Sequence, residues 1–526
     1  MISALSWVRQ GAAAATPEKL QLTEEEFIKM QEKMGQHLQL AKDDLEDAEN
    51  EDKANGNSVE EQDSNDKPME DDDELAIYNL DTYDEEEPSN QFGAPMFSNI
   101  KGLSYYSNNK EDPYIELDDA LDDQEELDEM HIEPTDNLIL ACKTEDDISH
   151  LEVYLYEPEE DNLYVHHDIL LPSFPLAIEW LDFPVGRKSD THTKGNYVAI
   201  GTFDPQVEIW DLDTVDSMFP DCILGQIPDA SLGTTSKKSK FGPARVAKRP
   251  QAERHVDAVM SISWNTVQRN LILTGSADTT VKLWDLTRPN SAVTSFNHHK
   301  DKVQAVVWNK FEPSVLVSGG YDKRVCAFDS RASNTVAEWK LTADVECIKW
   351  DTFHQERFYV STEDGIVKCF DVRNPKSKAL FTLHAHDSAV SALDVNPHIP
   401  GCLVTGSADK QVKVWSLQDT KPKCLVSRDL DAGKVFSTTF SPDSPYILAI
   451  GGSKGKVVLW NLEDNNAVRK QFPPNQLDHT TKVRSKPAKE ILQVDSDNDP
   501  NSDEDEEFED EIMEGDYSEE ENMEHV

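Results

Sequence analysis

The chain has 526 residues and a formal net charge of −52, and that charge is unevenly placed. Residues 11–134 carry 38 acidic against 8 basic side chains, and residues 491–526 carry 17 acidic and none basic; both stretches repel themselves and hold too little apolar mass to build a core, so they are expected to be mostly disordered. The near-neutral remainder is long enough for two average domains or one large repeat domain, and no run approaches the ~18 to 20 apolar residues of a membrane span.

No secretory signal is recognisable at the start of the sequence. The seven cysteines (Cys142, Cys222, Cys326, Cys347, Cys369, Cys402 and Cys424) form no CxxC pair or zinc spacing. Together these features predict a soluble nuclear or cytosolic protein in a reducing compartment.

In chain order, the first element is "ISALSWVRQG", residues 2–11, a short apolar strand with no partner nearby. The acidic stretch 12–134 follows. Within it, "LTEEEFIKMQEKMGQHLQLAKDDL" predicts a helix near residues 24–46. Thr23 and Glu26 form a capping box, and Phe27, Met30, Met34, Leu38, Ala41 and Leu45 recur as one apolar stripe. Gly35 weakens it by about 1 kcal/mol relative to Ala. An isolated helix of this length is marginal in water, so it docks on the rest of the chain, binds a partner or stays unfolded.

From residue 135 one phrase recurs: "LEVYLYE", "QVEIWDL", "TVKLWDL", "RVCAFDS", "IVKCFDV", "QVKVWSL" and "KVVLWNL". Its aromatic anchors are read as Tyr156, Trp210, Trp284, Phe328, Phe370, Trp415 and Trp460, with the last four intervals 44, 42, 45 and 45 residues. Such a period with this ending marks a WD-repeat β-propeller, four strands per blade. The fold expected is therefore all-β, a seven-bladed propeller over residues 135–472 flanked by acidic segments.

Earlier in the units stand "LAIEW", "MSISW", "QAVVW", "ECIKW", "SALDV" and "FSTTF". Three residues before each closing position lies a small residue: Ala177, Ser261, Ala305, Cys347, Ala392 or Ser437. The crowded hub of a propeller demands small side chains there. The opening "SALSW" fits the same frame, with Ala4 at the small position and Trp7 at the aromatic one. Residues 1–11 are thus expected to supply the innermost strand of the first blade, beside residues 137–142, making 12–134 a loop between two strands of one blade.

Three units carry a polar set: His255, Thr274, Asp278 and Trp284; His299, Ser318, Asp322 and Phe328; His386, Thr405, Asp409 and Trp415. A hydrolase triad uses the same residue types, but a catalytic site does not repeat around a ring. These sets read as buried hydrogen-bond networks within blades. The unit around Phe370 has Leu341 in place of the histidine. "GGSKGK" at residues 451–456 superficially resembles a phosphate loop, yet it occupies the turn where other units have "GSADK". No catalytic, cofactor or metal motif is expected.

The long interval before Trp284 implies an insertion, residues 213–254, within which residues 231–254 hold Lys237, Lys238, Lys240, Arg245, Lys248, Arg249 and Arg254 against one acid, Glu253. It reads as a solvated loop, a nuclear-import signal or a phosphate-binding arm. Without interleaved aromatics it does not read as a base-stacking platform. A smaller basic cluster is Lys482, Arg484, Lys486 and Lys489. In the acidic tail, 473–526, Ser496, Ser502 and Ser518 each have an acid three residues on, a spacing that suits an acid-directed kinase. The acidic arms serve solubility, capture of basic partners, or regulation.

The periodic aromatics, "ALSWV", "DDDELAIYNLDTYDEEE" (residues 71–87) and "LYVHHDILL" (residues 163–171) together resemble the periodic tryptophan protein 1 family. The resemblance covers about residues 1–470. It implies a nuclear and nucleolar protein that associates with chromatin, ribosomal-DNA chromatin included, and supports ribosome production. The partners implied are pre-ribosomal factors, ribosomal proteins or histones, with indirect or non-specific RNA or chromatin association, and a monomeric propeller within a larger complex. Two other readings stay open: a histone-binding chromatin adaptor or chaperone, and a cytosolic signalling or ubiquitin-ligase substrate-receptor scaffold.

Overall fold

A computed structural model describes residues 1–19, 130–146, 148–186, 194–226, 251–375, 378–417, 421–473 and 491–493. The predicted helix near 24–46, the basic residues from Lys237 to Arg249, the cluster from Lys482 to Lys489, and Ser496, Ser502 and Ser518 lie outside them. The chain forms two units, Met1–Leu20 with Met130–Val526, and Gln21–Glu129.

Seven four-stranded antiparallel sheets form the blades of a β-propeller in the first unit. The inner strands are Ile2–Val8, Pro175–Leu181, Val259–Trp264, Val303–Trp308, Val345–Trp350, Ala392–Val395 and Val435–Phe440, which define blades 1 to 7. At the hub, the small residues Ala4, Ala177, Ser261, Ala305, Cys347, Ala392 and Ser437 stand opposite Cys142, Gly201, Gly275, Gly319, Ser361, Gly406 and Gly451 on the second strands. A small residue thus faces a small residue in every blade.

The reason is lateral packing. The first residue of an inner strand leans on the second strand of the preceding blade, and where that strand carries glycine a side chain would collide. A Cβ on Gly406 would lie 2.5 Å from Val435 Cγ1, and a Cβ on Gly451 would lie 2.6 Å from Ile2 Cγ2. Close approach, not backbone conformation, requires glycine at these two positions.

Ile2 is therefore the residue that seats blade 1 on blade 7. Its strand pairs with Asn137–Glu145, Ala4 opposite Cys142 and Val8 opposite Leu138. The hub hydrogen bond repeats one between blades 3 and 4. Leu5 N donates to Ser437 Oγ at 3.2 Å, as Val306 N donates to Ser261 Oγ at 3.1 Å between blades 3 and 4. Trp7 Nε1 adds a bond to the Thr439 carbonyl at 3.2 Å. Ile2, Leu5, Trp7 and Val8 are all buried, each stabilising by about 1.5–3 kcal/mol.

The chain then crosses to blade 2. Ala14 N donates to Asp213 Oδ1 at 2.9 Å, and Glu18–Lys19 pairs in parallel with Thr214–Val215. Ile132 N returns to the Ala15 carbonyl at 2.9 Å. Both ends of the long acidic stretch are thus tied within the propeller unit.

One anchor and two boundaries differ from the expectation. Equivalent register sets Trp284 opposite Ile272 and Tyr154 opposite Ile139, so Tyr154, not Tyr156, is the anchor of blade 1. Both tyrosines are buried, and only the register separates them. Cys222–Leu224 pairs with Val207–Asp211 as the outer strand of blade 2, so the first part of the supposed insertion belongs to a blade. Ile491–Gln493 pairs with Val457–Asn461 as the outer strand of blade 7, within the stretch expected to be tail. A short helix, Asn466–Gln471, precedes it, capped by the Asn465 side chain.

Candidate interaction site

The three polar sets assemble inside their blades as near copies. His255 Nδ1 meets Asp278 Oδ2 at 3.0 Å, its Nε2 meets Thr274 Oγ1 at 2.7 Å, and Trp284 Nε1 donates to the same hydroxyl at 2.8 Å. His386 repeats this with Asp409 and Thr405, both at 2.8 Å, and Trp415 Nε1 donates to Thr405 at 2.9 Å. His299 holds Asp322 at 3.1 Å and Ser318 at 2.8 Å. Phe328 has no donor to offer there, and packs edge-on against His298 instead.

Each aspartate also accepts backbone N–H groups in the turn: Thr280 N to Asp278, Arg324 N to Asp322, Gln411 N to Asp409. The set therefore ties the start of the inner strand, the second strand and the next turn together. Burial lowers the pKa of His255 and His386, the aspartates opposing that shift. Burial alone would raise Asp278, but the bonds from His255 and Thr280 outweigh it and hold the carboxyl at about 2. The threonine hydroxyls are engaged by both histidine and tryptophan, beneath the surface, in two blades at once. This is a clasp, repeated because the blade is repeated.

Blades without the set solve the same problem differently. In blade 5, Thr342 Oγ1 donates to Asp364 at 3.2 Å, one residue beyond Leu341. In blades 1 and 2 a glutamate two residues before the anchor takes the ring donor: Tyr154 Oη donates to Glu152, and Trp210 Nε1 to Glu208 at 3.2 Å. Burial pushes Glu208 up to about 7 despite that bond. In blade 7 the spacing of histidine and aspartate is kept but the residues are Asp431 and Lys454, an ion pair at 2.8 Å.

With the clasps accounted for, interaction falls to the surfaces. The inner strands enclose a channel of about 570 Å³, lined among others by Glu179, Lys310, Lys349 and Asp394. Lys349 and Asp394 approach to 3.5 Å, and that carboxylate raises the lysine pKa. Burial in the channel wall raises the pKa of Glu179. At the end of the channel where the inner strands begin, the rings of Phe174 and Phe203 meet at 5.4 Å, tilted by 39°, with Phe203 57% exposed. At the opposite end, equivalent turns of blades 3, 4 and 5 expose Val267, Phe311 and Phe353. Sequence reading missed these groups. The last three could have been found as an apolar residue two places after Asn265, Asn309 and Asp351, whose side chains accept the turn N–H groups.

Of the basic set, Arg254 is described, and its Nε donates to Gln251 Oε1 at 2.9 Å. The buried Lys282 donates to the Gln251 carbonyl and to Ser295 Oγ, anchoring the end of the insertion on blade 3. Among the described residues no group of His, Cys, Asp and Glu could hold a metal ion.

The WD domain, G-beta repeat family matches residues 249–285, 290–329 and 377–416. Each stretch holds one of the three polar sets and the first three strands of blade 3, 4 or 6. The chain is 47% identical over 419 residues to an uncharacterized WD repeat-containing protein of Schizosaccharomyces pombe, 78% of this chain and 79% of that one. It is 37% identical to periodic tryptophan protein 1 of Saccharomyces cerevisiae, across 77% of each. It is 27% identical to the ribosome biogenesis protein WDR12 homolog of Drosophila pseudoobscura pseudoobscura, across 41% of this chain and 48% of that one.

Proposed function

The chain belongs to the periodic tryptophan protein 1 family of WD-repeat proteins, and from that membership we propose that it serves ribosome biogenesis as a non-catalytic binding platform. What carries the proposal is the relationship to the yeast protein over 77% of both chains, joined by a weaker likeness to a protein named for ribosome biogenesis. The geometry agrees with a platform. The groups that would do chemistry are spent within blades, while channel mouths and rims are left for partners, so the mechanism is binding at several places on one rigid body.

The proposed partners are pre-ribosomal factors and ribosomal proteins, and the proposed place is the nucleolus, with ribosomal-DNA chromatin as a further site of action. Lys237, Lys238, Lys240, Arg245, Lys248, Arg249 and Arg254 are proposed to direct nuclear entry or to contact phosphates. Ser496, Ser502 and Ser518 are proposed as phosphorylation sites.

The experiment is purification of the full chain from cells at moderate salt, followed by sedimentation. Co-migration with pre-ribosomal particles is expected. Core histones without ribosomal material would replace this reading with the chromatin-adaptor one. Exclusion from the nucleus, unchanged when Lys237, Lys238, Lys248 and Arg249 are neutralised, would favour the cytosolic scaffold.

A further inference from the structure

At the end of the propeller where the inner strands finish, the turns of blades 3, 4 and 5 form one ledge. Asn265 Nδ2 donates to the Pro313 carbonyl at 2.7 Å, and Asn309 Nδ2 donates to the Gln355 carbonyl at 2.9 Å. Each bond runs from one blade's turn to the next. Within its own turn Asn309 accepts bonds from Phe311 N at 2.8 Å and Glu312 N at 3.1 Å. Asp351 does the same for Phe353 N at 2.8 Å and His354 N at 3.1 Å. Asn265, Asn309 and Asp351 are buried, while Val267, Phe311 and Phe353 are exposed. Three large apolar side chains are thus held out to solvent on a hydrogen-bonded frame.

Blades 4 and 5 add an arginine each at the same end. Arg331 Nε and Nη2 donate to Asp329 at 3.1 and 2.7 Å, and Arg373 Nε and Nη2 donate to Asp371 at 3.0 and 2.7 Å. These turns lie against the ledge, since Ser330 N donates to the Ser314 carbonyl and Val372 N to the Glu356 carbonyl. Each arginine stands 20 residues after the phenylalanine of its blade, so the same pair recurs one blade apart. The two arginine side chains stay 76% and 66% exposed. A guanidinium has five N–H donors in a planar fork, so the aspartate fixes the plane and leaves the Nη1 edge for a group from outside.

We propose that this ledge docks an amphipathic α-helix of a partner protein, its apolar face on Val267, Phe311 and Phe353 and carboxylates at the border of that face on Arg331 and Arg373. This rests on the reading of the protein as a binding platform. Spacing selects the helix. Stacked sheets lie about 10 Å apart, and two turns of α-helix advance about 11 Å along one face. A strand returns to the same face every ~7 Å, out of step with the blades. Charge selects a carboxylate over a nucleic acid. Glu312, Asp329, Glu356 and Asp371 stand against Lys310, Arg331 and Arg373, so no positive field gathers phosphates here. A fixed fork still takes a single carboxylate at short range. Aromatic side chains and arginine are also what protein interfaces concentrate.

The test places the photo-cross-linking residue p-benzoylphenylalanine at Phe311, Phe353 or Phe203 of the full chain in cells and locates the linked residues by mass spectrometry. The first two positions should link to one segment of one other protein, at sites about seven residues apart, with Asp or Glu bordering its apolar face. The Phe203 position, at the opposite end of the channel, should not reach that segment. Arg331→Gln with Arg373→Gln should cut both yields several-fold. Links to RNA, to a second copy or to the chain itself, no links, or yields unchanged by the arginine substitutions would overturn the proposal. Sedimentation of the same extracts keeps the two readings apart. Co-migration with pre-ribosomal particles without the expected links sinks the ledge alone, and the expected links without co-migration sink the ribosomal role alone.

Discussion

The inner strand of blade 1 and the outer strand of blade 7 both come from a distance, yet they carry unequal weight. Ile2–Val8 buries Ile2, Leu5, Trp7 and Val8 and closes the ring through Gly451 and Ser437. Ile491–Gln493 has three residues, with Ile491 40% exposed and Leu492 half-buried against the cluster that holds Trp7. One strand is packed between blades 7 and 2 on its two faces; the other covers the outer edge of its own sheet. Position in the ring, not separation along the chain, decides what a strand contributes, since loop closure grows only logarithmically with length.

That contrast can be broken most severely by deleting residues 1–10. Four buried side chains, each about 1.5–3 kcal/mol, amount to much of a domain's marginal stability. The expected product is insoluble or unfolds without a cooperative transition in urea. Wild-type behaviour would show that the ring does not need the strand.

Next come substitutions at the seam. Ile2→Ala should cost about 2–4 kcal/mol. Gly451→Ala should cost about 1–3 kcal/mol, because its Cβ meets Ile2. Combined, they should fall short of the sum, since the smaller residue relieves the clash. Strict additivity in a denaturation cycle would dissolve the contact.

The clasps sharpen the comparison between interior and rim. Thr274→Val leaves the Trp284 N–H and the His255 Nε2 that met the hydroxyl without a partner, an expected loss of about 1–3 kcal/mol. Lys454→Gln breaks an exposed pair worth at most about 1 kcal/mol. Equal losses in thermal unfolding would contradict the division. Ending the chain after Glu490 removes the outer strand of blade 7, and an effect under about 1.5 kcal/mol is expected from one half-buried leucine.

The smallest effect at neutral pH is titration. Burial, reinforced by His166, lowers His167 to about 4, against about 6.5 unfolded. The unfolded chain then binds the proton first as pH falls, so this stability is complete above about 6.5 and is lost progressively down to about 4. His167→Phe should flatten that slope in a pH series of melting temperatures. An unchanged slope would show that His167 contributes none of it.

Much of this was legible in the residues. The small residue three places before an aromatic marks an inner strand because hub packing tolerates little else, which is why "SALSW" could be placed against its partner from afar. The polar sets were legible for the same reason, since His, Ser/Thr and Asp must keep their spacing to meet. Outer strands were not: Cys222–Leu224 and Ile491–Gln493 are three residues each, with one partner and few buried side chains, so little selects their sequence. Tyr154 and Tyr156 share a strand face, and alternation cannot choose between them. Glu179, Lys310, Lys349 and Asp394 come from four blades, and only the closed ring brings them together.

Amide hydrogen exchange on the full chain tests the ring closure most directly. Residues 2–8 should exchange as slowly as Val457–Asn461 of blade 7, through global unfolding alone, while residues 491–493 exchange faster. Exchange of residues 2–8 at the rate of a frayed terminus would contradict the account.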